Sequence, residues 1–566
     1  MRDAPTVIGI NRAEGASVCL ARGPRTVYSL QKERITRHRH HWGRPGDLTN
    51  LYVPRLPALT EPVDLVVECY SSDPESENLE TYRDELATVL TFRTGTPVTR
   101  LSHHLAHLFS AFPPSPFDAA AVMVIDAQGS RAPDFTEPAG YDATPHMLEV
   151  ASFYVCERGR VECLGKHLWH GDWREPTGLG CFYALLTRAM FPGEGNEAKV
   201  EALAPYGRPG AFGLPGLVVD GNRVLIPDAW LELFAQHDRF THFCDGTGSF
   251  TDCADLAAAG QAAFEAAMLQ IADWLHRETG LEDLCFAGGT ALNCSANSRL
   301  IREGPFHEVF VPPSPHDGGT ALGCALYGMI ECLGEPSEFR WTDDFLGPPP
   351  DERAIKEAVT AAAAGLVASQ PADLVSDAVD LLELGRVVGL HQGRSESGPR
   401  ALGNRSILAD PRRPGMQDFI NSRVTGREWF HPPASVVPRD AAAGIVDHAG
   451  PAPSRLLATG VPEPCRAVLP AITHVDGTAR IQTVDPAHSP FLHALLAAFG
   501  ARTGCPVLLN NPLSEPGDPL AESPEDSLAC LQNTSMHALL MPPYLIRKRD
   551  EPPIPGRWSA TAVRRT

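Results

Sequence analysis

At 566 residues, with 43% hydrophobic and 21% charged residues, the chain has an ordinary globular composition and enough length for more than one domain. A formal net charge of -21 argues against a nucleic-acid-binding surface, which needs clustered positive charge, but leaves room for a small anionic substrate held by local arginines. The 14 cysteines form no CxxC pair, and several sit in apolar runs (Cys285 in LCFAGG, Cys324 in ALGCALYG). With no signal-peptide layout in MRDAPTVIGI and no apolar run near the roughly 18 residues of a spanning helix, these features predict a cytoplasmic protein with reduced thiols and no membrane partner.

Taken in order, TVIGIN reads as a buried strand, RAEGA as a turn, and SVCLARG and RTVYSLQ as alternating strands. A strand-turn-strand opening of this kind is shared with small α/β domains of the actin and sugar-kinase superfamily. The basic stretch KERITRHRHHWGRPG, residues 32–46, is a solvated loop or a substrate-gripping one. VDLVVECYS is a further buried strand, followed by a helix over about residues 77–91.

LSHHLAHLFSAF then places His103 and His107 four apart, on one face of a helix. The apolar run AVMVIDAQG reads as a strand ending at Asp126. A strand-end carboxylate beside a His pair is a three-ligand set for a divalent metal of the iron, zinc or manganese kind, and Asp317 in VPPSPHDGGTALG is a fourth candidate. Helix packing or capping is the competing explanation for the histidines, and His104 competes as a ligand at i,i+3.

Residues 147–165 alternate as strands, and GLGCFYALLTRAMF reads as a Gly-led helix. FPGEGNEAKVEALAPYG is a loop carrying Lys199, and an Ala-rich helix spans about residues 254–279. LCFAGGTALNCSANSRLI gives strand, Gly-Gly turn and helix. Glycines there let the backbone approach a ligand, and a helix N-terminus favours an anionic group, although packing alone also explains such a turn.

GEPSEFRWTDDFLGPPPDER marks a composition shift, so the expected organisation is residues 1–335, a linker over 336–369, and a second domain over 370–566. The second part opens with the helix SDAVDLLELG and the strand RVVGLHQG. RSESGPRALGNRSILADPRR follows, with Arg394, Arg400 and Arg405 among glycines. Such arginines suit bidentate gripping of phosphate or carboxylate, against the alternative of surface salt bridges. No P-loop, HExxH, EF-hand or GxSxG pattern is present.

The ordered motifs HHLAH, VMVIDAQG, AGGTALNCSAN, PPSPHDGG, GRSESGPRALGNRSILADPR, INSRVTGREWF and ITHVDGTARIQTV resemble the carbamoyltransferases of antibiotic tailoring and nodulation-factor modification. That resemblance covers nearly the whole chain. It implies an α/β fold with a duplicated actin/sugar-kinase-like (ribonuclease-H-like) N-terminal domain and a YrdC-like α/β C-terminal domain. It also implies formation of carbamoyl adenylate from carbamoyl phosphate and ATP in the second domain, with magnesium as an accompanying cofactor. The first domain would then transfer the carbamoyl group to a hydroxyl or amine of a small-molecule acceptor, in a homodimeric protein.

By the same resemblance His103, His107, Asp126 and Asp317 hold a divalent metal, iron(II) in the family. Gly288, Gly289 and Asn293 hold nucleotide, and Arg394, Arg400, Arg427, His474, Asp476 and Arg480 bind substrate in the second domain. The chain departs from the family pattern at several points. The turn after the first strand, usually His-Asp with the His as candidate base, reads Glu14-Gly15, which makes Glu14 the candidate. GKLMGLAPYG becomes AKVEALAPYG, which keeps Lys199 as a second catalytic candidate. The KxR lysine is Thr425, before Gly426 and Arg427, and the SxN element has Pro512 and Ser514. These losses leave two further readings open: a repurposed member using another activated donor, or a non-catalytic homologue assisting an intact carbamoyltransferase.

Overall fold

The computed structural model describes residues 4–71, 79–93, 97–236, 239–241, 248–362, 365–432, 434–448 and 450–550. It divides into two compact units, Met1–Trp341 and Thr342–Thr566.

The first unit repeats one topology twice. Its first sheet contains β1 (Thr6–Asn11), β2 (Ser17–Arg22), β3 (Thr26–Gln31), β4 (Leu65–Tyr70) and β5 (Val98–Ser102), in the order β3-β2-β1-β4-β5. The hairpin strands pair antiparallel, while β4 and β5 extend the sheet in parallel. The second sheet contains β6 (Ala119–Ile125), β7 (Leu148–Glu157) and β8 (Arg160–Trp169). After a ribbon of β9 (Val218–Asp220) and β10 (Arg223–Leu225), it is completed by β11 (Asp283–Ala287) and β12 (Glu308–Phe310), in the order β12-β11-β6-β7-β8. Three antiparallel strands followed by two parallel ones, in equivalent order, make this the duplicated α/β fold expected.

The β2 segment was expected to alternate between buried and exposed, yet it is buried along almost its whole length. Both faces of the first sheet are covered. One carries the cluster of Ile8, Val18 and Leu20 with Leu48, Tyr52 and Leu86. On the other lies the helix Thr320–Tyr327, so close that a Cβ at Gly9 would sit 2.0 Å from the Ala321 carbonyl oxygen. The same helix crosses the helix His103–Ala111, where a Cβ at Gly323 would sit 1.7 Å from the Ala106 carbonyl oxygen. Two glycines thus let one short helix seat the Asp317 loop against the His-bearing helix.

Residues 336–369, expected as a linker, carry the helix Glu352–Ala361 and a strand, both in the second unit. Asp351 caps that helix by accepting from the N–H groups of Arg353 and Ala354. This Pro-rich, acidic composition marked the entry into a domain, and its local turn signals concealed the helix behind them.

The second unit is built on one nine-stranded mixed sheet. Its strands are β13 (Leu366–Ser369), β14 (Val388–His391), β15 (Arg405–Ala409), β16 (Ala434–Pro438), β17 (Leu457–Gly460), β18 (Thr478–Val484), β19 (Leu508–Pro512), β20 (Ala538–Met541) and β21 (Tyr544–Lys548). Their order is β13-β21-β20-β14-β15-β19-β16-β18-β17. Alternate residues feed two cores: Ile407, Val437, Leu509 and Leu539 point to one, and Leu408, Val436, Leu508 and Leu540 to the other. Among the described residues no helix is long and apolar enough to cross a membrane.

Candidate metal centre

The helix His103–Ala111 begins where β5 ends, capped by Ser102, whose Oγ accepts from the Leu105 N–H at 3.2 Å. His103 and His107 project from one face, and their Nε2 atoms lie 3.1 Å apart. His107 Nε2 is 3.4 Å from Asp126 Oδ2 and 3.7 Å from Asp317 Oδ1, and His103 Nε2 is 3.5 Å from Asp317 Oδ1. One ligand atom from each of the four residues lies within 4.8 Å of the other three. Atoms each about 2.1 Å from one ion lie about 3.0–3.4 Å apart at octahedral or tetrahedral angles, so the spacing fits a first-row divalent cation.

The charges fit as well. Two carboxylates and two imidazoles converge where burial makes unbalanced charge costly, and either a bound cation or the imidazoles' own protons can balance the carboxylates. Burial opposes charge on His103, but Asp317 outweighs it and holds the imidazole well above its ordinary range. Burial would likewise raise Asp317, yet His103 and His107 hold it well below the usual carboxylate range.

Asp126 is aimed by its neighbours: its Oδ1 accepts from the Ala127 N–H and its Oδ2 from the Gly289 N–H at 2.9 Å. The Gly-Gly turn serves this contact. Gly288 has φ 95°, and a Cβ there would lie 2.2 Å from the Ile125 carbonyl oxygen. Packing therefore accounts for Gly288 and Gly289. Asn293 is buried and caps the next helix, its Oδ1 accepting from the Ala296 N–H while its amide exchanges hydrogen bonds with Gln261. The anionic group at that helix N-terminus is the chain's own Glu201, whose Oε1 accepts from the N–H and Oγ of Ser295.

His104 turns away from the cluster. Its Nδ1 lies 2.8 Å from Ser152 Oγ, and burial, reinforced by Lys166, holds the ring neutral well below its ordinary range.

On the accessible side, Asn11 clips the first turn to the Asp317 loop. Its Nδ2 donates to the carbonyls of Glu14 at 2.8 Å and Asp317 at 3.1 Å. Glu14 Oε1 pairs with His40 Nδ1 at 3.2 Å, with both side chains about a third exposed (34% and 37%). Burial raises the Glu14 carboxyl, against the hydrogen bond from His40, and Asp317 adds to the rise. The hydrogen bond to Glu14 lifts His40 to about 9.

His40 comes from the basic stretch, which is not simply a solvated loop: Lys32 and Arg34 are buried, and Lys32 pairs with Asp47 and donates to the Trp42 carbonyl. Main-chain bonds from Ala16 to His41 and from Gly43 to Ala13 lay this stretch over the Glu14 turn. A Cβ at Gly195 would lie 2.7 Å from His40 Nε2, so the loop before the helix Glu197–Leu203 reaches the same place. Lys199 is half-buried on that helix, its Nζ 5.4 Å from the centre of the Phe191 ring. The sequence reading missed His40, whose only signal was its place among other basic residues.

In the second unit the arginines serve different purposes. Arg394 donates to the carbonyls of Gly347 and Leu346, and Arg405 to those of Gln392, Asn404 and Glu522. Glu396 organises the loop between them, Oε1 accepting from the N–H groups of Leu402, Asn404 and Arg405. Arg400 is half-buried within that loop. Arg427 and Arg480, far apart in sequence, both act on His431, which burial chiefly pulls down to about 4. Asp476 shapes its own turn by accepting from the N–H and Oγ1 of Thr478, and lies 3.7 Å from His474 Nδ1. Thr425 is buried, its Oγ1 donating to the Ile420 carbonyl.

A two-unit α/β chain whose duplicated first unit carries a cluster that could hold a metal defines a class, and comparison with known proteins defines the family. The carbamoyltransferase N-terminus profile matches residues 75–326, and the carbamoyltransferase C-terminus profile matches residues 379–548. Nodulation protein NolO of Bradyrhizobium diazoefficiens is 34% identical over 492 residues, covering 82% of this chain and 81% of that protein. The uncharacterized protein sll1178 of Synechocystis sp. is 32% identical over 501 residues, covering 81% and 77%. The chain belongs to the carbamoyltransferase family. Among solved structures, full-length HypF in its phosphate- and nucleotide-bound form aligns over 60% of this chain and 48% of its own, at 15% identity and a TM-score of 0.37, too loose a likeness to carry an argument.

Proposed function

We propose that this chain carbamoylates a hydroxyl or amine of a small-molecule acceptor, with transfer at the centre formed by His103, His107, Asp126 and Asp317. The observation that carries this reading is the convergence of those four ligand atoms at ion-sized spacing within a member of the carbamoyltransferase family. A divalent metal held there, iron(II) by resemblance to the family, supplies Lewis-acid polarisation and a template for the donor.

In the second unit water cleaves carbamoyl phosphate to carbamate and phosphate, and a carbamate oxygen attacks the α-phosphorus of ATP, displacing pyrophosphate to form carbamoyl adenylate. In the first unit the acceptor attacks the carbamoyl carbon, AMP leaves, and the acceptor's proton is taken up by the protein. Glu14 is the proton acceptor in this reading, because burial raises its carboxyl and His40 orients it beside Asp317. Arg400, Arg427, His474 and Arg480 are the substrate-binding candidates of the second unit, and Lys199 is a candidate on the first.

A second reading, another activated donor at the same metal centre, is favoured by one observation. Thr425 stands at the position of the family's KxR lysine, buried and bonded to main chain. The test is incubation with carbamoyl phosphate and ATP, following AMP and pyrophosphate. Pyrophosphate release that requires carbamoyl phosphate is expected. Silence from folded, metal-loaded protein would favour the other donor.

A further inference from the structure

Histidine ligands are normally aimed by a hydrogen bond from the ring nitrogen that does not bind the metal. Here the Nδ1 atom of His107 is buried with no hydrogen-bond partner among the described residues, and the His103 ring has the Cys69 thiol beside it. Direct support of the rings is therefore sparse, and the first turn of their helix is where the structure adds to it.

Three N–H groups at the start of that helix have no partner within it and are met by side chains from elsewhere. The His103 N–H donates to Ser130 Oγ at 2.9 Å, His104 N–H to Glu149 Oε1 at 2.8 Å, and Leu105 N–H to Ser102 Oγ at 3.2 Å. Glu149 Oε1 also accepts from the Ser130 N–H at 3.1 Å, so one carboxylate oxygen holds both the helix and the Ser130 loop. No Cβ could be added at Gly129 without reaching 2.7 Å from the Glu149 side chain and 2.9 Å from the His104 ring.

The other Glu149 oxygen receives Lys166 Nζ at 2.8 Å. Lys166, from β8, also reaches Glu137 at 3.0 Å, Ser152 Oγ at 3.1 Å and Tyr154 Oη at 3.2 Å. Glu137 in turn accepts from the capping Ser102 Oγ at 3.0 Å, closing the frame around the helix start. Ser152 is the group on which His104 Nδ1 rests. Lys166, Glu149 and His104 are all fully buried. Register shifts in the β7–β8 pairing, after Glu149 and after Phe153, lie on either side of Ser152 and its cross-strand partner Lys166, as irregularities that re-aim side chains near active sites do.

A buried ion pair is a poor source of stability, since apolar residues of similar volume do as well or better. This one is placed to do something else: it grips one end of a helix that carries three candidate ligands and engages one of them, His104. We infer that Lys166 and Glu149 form a positioning device for the metal centre, anchoring the first helical turn so that His103 and His107 face the ion while His104 is held away on Ser152. These are positioning residues, since they reach the ion only through the helix they hold. The inference rests on the metal-centre reading above.

The test is cobalt(II) binding by the full chain, read by competition with a chromophoric chelator and by the visible absorption band of the bound ion. Far-UV circular dichroism reports the fold. The wild type should bind one cobalt(II) per chain. Lys166→Met and Glu149→Gln should each weaken binding about 10- to 100-fold and change the band, as loss of a ligand-orienting partner does. The double variant E149Q/K166M removes both buried charges together, so it keeps the test open if Lys166→Met does not fold. It should fold like the wild type and retain the altered band and weakened affinity. Folded variants with wild-type affinity and band would overturn the positioning role. Failure of the wild type to bind cobalt(II) would instead overturn the metal centre itself, and the inference with it.

Discussion

The two units treat their conspicuous polar residues in opposite ways. In the first, His103, His107, Asp126 and Asp317, from three separate stretches of chain, turn their functional atoms toward one point. In the second, Arg394 and Arg405, from one Gly-rich stretch, turn their guanidinium groups onto main-chain carbonyls of their own unit. Convergence of atoms from distant segments is costly unless a ligand repays the desolvation. An arginine satisfied by carbonyls already has its explanation in loop architecture. Motif spacing cannot separate these cases, because it says which residues are near in sequence and nothing of what their far ends touch.

The sharpest break of this contrast is at a ligand. Asp317→Ala should remove the metal and reduce carbamoyl transfer by at least about 100-fold, since a ligand contributes more than the outer partners whose loss costs 10- to 100-fold. The fold should persist, which metal analysis alongside circular dichroism would check. Glu14→Gln should lower transfer by about 100- to 10,000-fold, the usual contribution of a general base, while pyrophosphate release stays unchanged. The wild-type rate should fall as pH drops through a value above the ordinary carboxyl range, because the base works only when deprotonated and burial raises it. A pH–rate profile of each half-reaction distinguishes the two.

Arg405→Ala should act on the other side of the contrast. Its loss should destabilise the second unit by about 2–3 kcal/mol, the size of one hydrogen bond to a charged group, measured by urea unfolding. Metal content should not change. The smallest expected effect is at His40. Its pKa in the folded protein, about 9, lies above the ordinary 6.5, so the pair with Glu14 contributes stability that is fully present below about 6.5 and is lost as pH rises through about 9. The pair is a third exposed, so His40→Asn should narrow that pH dependence by less than about 1 kcal/mol.

Much of the first unit was legible. The i,i+4 spacing of His103 and His107 and the strand end at Asp126 were enough to group them, because helix and strand periodicity fix which way those side chains leave the backbone. His104 was not legible: at i,i+3 from His107 it shares the face, and only Glu149, Ser152 and Lys166, some fifty residues on in two other strands, turn it aside. The Gly-Gly turn was open to either ligand approach or packing, and its carbonyl and carboxylate neighbours are Ile125 and Asp126. Glu201, the acidic residue of the altered run AKVEALAPYG, occupies the helix end where an anionic group was expected. In the second unit, Arg427 and Arg480 were grouped only through the family resemblance, and nothing in their spacing showed that their fields meet on His431.

Metal analysis of the purified chain, paired with the transfer assay, bears most directly on the four-residue centre. One divalent ion per wild-type chain, lost with activity in Asp317→Ala and retained in Arg405→Ala, is the predicted result. Full transfer activity from wild-type protein carrying no stoichiometric metal would contradict a metal-centred site.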